Sequence, residues 1–67
     1  MGMIKTDSQL IREFIEWAIK HDLTLTAMSA AVGRNPSWAG RLVAGKVGRL
    51  HFATRNRIIF VLRGGKI

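Results

Sequence analysis

The chain has 67 residues, a formal charge of +7 and a 48% apolar composition, a size that holds one domain and a make-up too apolar for disorder. It has no cysteine, which excludes disulfides and a thiolate metal site. Its longest uninterrupted apolar run, Ile58 to Leu62, falls far short of the roughly 20 residues of a membrane span.

Charge is unevenly spread. All four acids (Asp7, Glu13, Glu16 and Asp22) precede Leu23, where Lys5, Arg12 and Lys20 leave a net −1. The rest of the chain has no acid; its bases are Arg34, Arg41, Lys46, Arg49, Arg55, Arg57, Arg63 and Lys66, a net +8. Such a segment points to a polyanionic partner, nucleic acid before an anionic membrane.

In chain order, Thr6-Asp7-Ser8-Gln9 reads as a capping box that opens a helix over residues 7–20. Leu10, Phe14 and Trp17 lie along one side of it, with Ile11, Ile15 and Ala18 beside them, and Glu16 and Lys20 form an i, i+4 pair. Asp7 sits at the positive end of the helix dipole. After the connector His21-Asp22-Leu23, Thr24 caps a second helix over residues 25–32, with Leu25, Met28, Ala31 and Val32 on one face. Its small residues, Ala27, Ser29, Ala30 and Ala31, let a neighbouring helix cross close by. Gly33 turns the chain with a positive φ.

A third helix follows over residues 36–44, with Asn35 as N-cap and Pro36 at the first helical position. Ala39, Leu42 and Val43 face inward, and Asn35, Ser37, Trp38 and Arg41 outward. Gly40 inside the helix implies close approach by another backbone. Two short helices joined at a glycine turn form a helix-turn-helix; the ordinary alternative is an αα-hairpin in a small bundle. In the first reading, Asn35 pairs with adenine and Arg41 with guanine, Ser37 is permissive and Pro36 touches a thymine methyl. Trp38 either joins these base-reading residues from the DNA side or packs partly beneath the helix. Gly45 ends the third helix, and Lys46 and Arg49 in the following loop clamp phosphates. Thr24 and Thr26, at a helix N-terminus, offer further phosphate contacts.

Residues 52–62 read as a fourth helix that buries Thr54, Ile58, Val61 and Leu62. Phe52, Ile59 and Phe60 are left on another face, a surface that invites a second subunit. The alternative for residues 56–63 is a strand, given the β-branched run between Arg57 and Arg63, which would pair across a dimer axis.

The segment Ser29 to Trp38 (SAAVGRNPSW), with Leu42-Val43-Ala44-Gly45-Lys46, resembles the phage Cro/CI repressor-like helix-turn-helix family over residues 24–62. The resemblance implies an all-α, lambda-repressor-like bundle of four to five short helices, without cofactor, acting as a dimeric transcriptional repressor on palindromic operators. It puts Asn35, Pro36, Ser37 and Arg41 at base-reading positions and Thr24, Thr26 and Lys46 near phosphates. The chain departs from the pattern at Arg34, where the family has a small apolar residue; an arginine there reaches a phosphate. Ala39 and Gly40 are also small for the inner positions of a recognition helix.

The expectation is therefore a single-domain, cytoplasmic homodimer that binds double-stranded DNA and neither a membrane nor a small-molecule ligand. Metal and catalysis are not expected, because His21 and His51 lie far apart and no catalytic carboxylate pair or Ser-His-Asp set is present. An antitoxin-like or accessory protein, binding another protein through its apolar C-terminal face, is the competing reading.

Overall fold

Thr6 opens α1 (Asp7–Lys20) through a complete capping box: its hydroxyl accepts the Gln9 N–H at 3.1 Å, and its own N–H donates to Gln9 Oε1 at 2.9 Å. The computed structural model describes residues 5–64, and among them all regular structure is helical. α1 buries Leu10, Phe14 and Ala18, an i, i+4, i+8 line, with Ile11, Ile15 and Trp17 packed along its margins. It ends in a Schellman closure, in which the Leu23 N–H reaches Ala18 O at 2.9 Å and the Asp22 N–H reaches Ile19 O at 3.1 Å. Asp22 takes the left-handed position at φ +54°, which aspartate tolerates better than most residues.

α2 (Leu25–Ala31) is capped by Thr24, whose hydroxyl accepts the Ala27 N–H at 3.1 Å. Met28, Ser29, Ala31 and the following Val32 are buried, while Leu25 is 47% exposed and leaves the stripe the sequence suggests. Gly33, at φ +70°, closes α2 with the Arg34 N–H on Ser29 O at 2.9 Å. α3 (Ser37–Val43) closes the same way at Gly45, φ +79°, with the Lys46 N–H on Arg41 O at 2.9 Å. α4 (Phe52–Leu62) buries Thr54, Ile58 and Val61 at i, i+4, i+7. This spacing puts Ile58 and Val61 on the core from a helix, and residues 56–62 are helical, so the strand alternative is overturned. No helix among the described residues is long and apolar enough to cross a membrane.

α1 packs on α4 and α2 on α3. The shared core joins Leu10, Phe14 and Ala18 to Met28, Trp38, Leu42, Ile58 and Val61, with the Phe14 and Trp38 rings tilted at a centroid distance of 6.2 Å. Two polar contacts lock this arrangement. The first replaces the cap read from the sequence. Ser37, not Pro36, is the first residue of α3; Pro36 stands at the cap position, and no side chain there caps the helix. The Asn35 carboxamide oxygen instead accepts the Ser37 hydroxyl at 2.8 Å. Ser29, fully buried on α2, supplies the missing cap: its hydroxyl accepts the Ala39 N–H at 3.0 Å and donates to Pro36 O at 3.3 Å.

Ser29→Ala orphans both groups, and a buried unpaired backbone group costs about 1–3 kcal/mol. In a domain of this size the thermal midpoint is expected to fall by about 5–20 °C, followed by circular dichroism. An unchanged midpoint would show that the joint does not depend on this hydroxyl.

The second contact ties the ends of α1 and α4. Asp7 Oδ2 accepts the Leu50 N–H at 3.0 Å and Oδ1 accepts Arg55 Nη1 at 2.7 Å, while Arg55 Nη2 donates to Lys5 O at 2.6 Å. Ion pairing among the described residues thus joins Asp7 to Arg55 and Glu13 to Lys5, and the Glu16–Lys20 pair is not formed. The Leu50 N–H, with Arg55 and the charge of Arg49, holds the Asp7 carboxyl below its ordinary 3.8 against an opposing effect of partial desolvation. A carboxyl depressed in the folded state contributes stability above its unfolded pKa and loses it as pH falls through the folded value. The thermal midpoint should therefore drop below about pH 4, and Asp7→Asn should lower the midpoint at pH 6 and flatten that acid limb. An acid limb of the same slope in Asp7→Asn would assign the effect to other carboxylates.

Candidate nucleic-acid interface

α3 has two turns to divide between core and solvent. Trp38, Ala39 and Leu42 are buried, within an arc of about 100° at about 100° per residue. Val43 lies just outside that arc and is 52% exposed, whereas Trp38 is only 4% exposed. Of the two alternatives for Trp38 the structure has the packed one, a core residue and not an exposed base-reading one, and Val43, expected inward, faces out. Ala39 and Gly40 are too small to fill the space beside Phe14, and the indole occupies it.

The remaining base-reading candidates, Asn35, Pro36, Ser37 and Arg41, are all exposed, along the start and outer side of α3. Asn35 and Ser37 are already paired, which leaves the Asn35 amide group as the donor end of that unit. No backbone approaches Gly40; a Cβ placed there would meet nothing within 4 Å. Gly40→Ala is accordingly expected to stabilise the helix by about 1 kcal/mol, read as a raised thermal midpoint. A lowered midpoint would reveal a close approach that the geometry does not contain.

The phosphate candidates separate into two groups. Arg34 from the α2–α3 turn, Arg41 from α3, and Lys46 and Arg49 from the α3–α4 loop line one cleft of about 330 Å³. The buried Trp38 and Thr54 also line it, as does His51, the N-cap of α4. No acid lies within 4.0 Å of any of the four cations among the described residues. Gly45 builds the cleft locally, because its left-handed turn ends α3 and sends Lys46 back beside Arg41. Thr24 and Thr26 are exposed on α2 away from this cleft, and the Thr24 hydroxyl is engaged as a cap. His51 and Thr54 are the residues that sequence reasoning missed; nothing local marks them, since they reach the cleft only because the chain after α3 brings the start of α4 beside Trp38 and Arg41.

The subunit-interface candidates do not share one face. Phe52 (75% exposed) and Phe60 (47% exposed) line a shallow groove of about 600 Å³ with Val32, Gly33, Asn56 and Arg57. Ile59 is half-buried and turned toward α1, in a second groove with Leu10, Arg55 and Leu62. It falls at the margin of α4 that α1 covers, so the exposed aromatic stripe is Phe52–Asn56–Phe60 without it.

No protein-family model matches the chain, and no curated protein or solved structure shows significant similarity to it.

Proposed function

We propose that the protein is a sequence-specific regulator of transcription that binds double-stranded DNA, acting as a repressor of phage or prophage type. The observation that carries this reading is the convergence of Arg34, Arg41, Lys46 and Arg49, none paired with an acid among the described residues, beside the exposed side of α3. Cations held near one another oppose folding, and a polyanion relieves that cost. In this reading the cleft grips a backbone phosphate while Asn35, Pro36, Ser37 and Arg41 meet base edges from α3. A homodimer would set two such helices about 34 Å apart on an inverted repeat, in a cytoplasmic, nucleoid-associated setting.

Selection from a pool of random duplexes, with excess competitor at near-physiological salt, tests this. An enriched inverted repeat supports it. Recovery only at low salt and without a motif leaves charge attraction alone and overturns specific recognition.

The exposed Phe52 and Phe60 favour a second reading, an antitoxin-like or accessory protein that binds another protein there. Light scattering separates the two: a dimer that Phe52→Glu dissociates assigns the aromatic stripe to self-association, and a monomer favours a different partner.

A further inference from the structure

The cationic cleft has more than the features of a surface that rests against a duplex. It is concave, and its volume of about 330 Å³ lies at the small end of the range typical of small-molecule sites. Thr54 is 4% exposed and lines the cleft. The N-terminus of the eleven-residue α4 opens at the same place, with His51 as a long cap at 3.4 Å to the Ala53 N–H. Four cations, a hydroxyl donor and the positive end of a helix therefore surround one concavity, and every one of them favours an anion rich in acceptor oxygens.

We propose that the cleft formed by Arg34, Arg41, Lys46, Arg49 and Thr54 is a binding site for a free polyphosphate anion, the polyphosphate tail of a nucleotide or an inorganic chain, which competes there with DNA. The sequence alone gives no reason to expect a small ligand; the juxtaposition of the α2–α3 turn, α3, the loop and α4 creates the site. A duplex strand presents about one charge per 3.4 Å, strung along a ridge. A triphosphate concentrates its charge in a volume suited to the one concavity that the four cations line. Binding then releases DNA by mass action. The inference rests on reading the cleft as a phosphate-contact surface, and not on sequence-specific recognition.

Titration calorimetry of the full chain with inorganic triphosphate, and separately with ATP, at near-physiological salt tests it. One saturable site per chain is expected. Equal affinities would identify the phosphate chain as the ligand, and tighter ATP binding a nucleotide. Arg34→Gln/Arg49→Gln and Thr54→Val should each weaken binding by at least about tenfold, since charge-assisted hydrogen bonds are removed, whereas Arg57→Gln, outside the cleft, leaves it intact. The arginine pair is exposed, so it decides the matter even where Thr54→Val fails to fold by circular dichroism. A fluorescent random duplex supplies the second arm. Duplex binding with no saturable triphosphate binding overturns the site and leaves the DNA reading standing. Triphosphate binding without duplex binding supports the anion site, but overturns the competition with DNA and removes the DNA reading. Triphosphate binding unchanged in both cleft variants places the anion elsewhere and overturns the proposal.

Discussion

Trp38→Ala is expected to abolish the cooperative thermal transition and leave a largely unfolded chain at 25 °C. Trp38 is 4% exposed, its ring lies 6.2 Å from that of Phe14, and it belongs to the single cluster that also includes Leu42 and Ile58. Emptying a core position of this size costs about 3–5 kcal/mol. A domain below about 70–80 residues rarely has more than about 3–5 kcal/mol to lose. Trp38→Phe, which keeps most of the apolar volume, should fold with a lowered midpoint. Far-ultraviolet circular dichroism against temperature and urea reads both. A Trp38→Ala protein that melted within a few degrees of the parent, and lost only affinity for DNA, would return Trp38 to the interface.

The second large effect concerns charge. Replacing Arg34, Arg41, Lys46 and Arg49 together by glutamine should flatten the dependence of log K on log salt by about three to four units, at about 0.9 for each phosphate no longer neutralised. The variant is expected to fold, because these side chains are exposed and form no ion pair among the described residues, and only the longer-range attraction of Arg49 for Asp7 is lost. Their removal relieves mutual repulsion. Arg55 is left in place because it holds Asp7 and the Lys5 carbonyl. The control replaces Arg57 and Arg63, which are exposed but do not line the cleft. Duplex titrations at several salt concentrations measure the slopes. Equal flattening by the control pair would show that total charge, and not the cleft, governs the interaction.

The helices of this protein were legible in its sequence because their signals are local. Thr6 with Gln9, and Thr24, mark two starts; Gly33 and Gly45 mark two ends where only a left-handed turn closes the carbonyls. α1 and α4 accordingly fall on the ranges read from the pattern, residues 7–20 and 52–62. The segregation of acids before Leu23 and bases after it is equally a property of the sequence.

The inward side of α3 was not legible. Trp38, Ala39, Leu42 and Val43 span an arc wider than a seven-residue helix buries, and either margin satisfies the periodicity. Tertiary packing chose the indole, because it fills the space beside Phe14. The same holds for Ser29, which caps a helix ten residues away, and for Asp7, which reaches Leu50 and Arg55 across most of the chain. A hydroxyl or carboxylate carries no mark of a distant partner. The cleft is likewise a tertiary product: its cations stand apart in sequence, and Thr54 belongs to the buried stripe of α4. Local periodicity and capping determined where this chain is helical, and the volume and hydrogen-bond demands of one shared core decided which side chains face out.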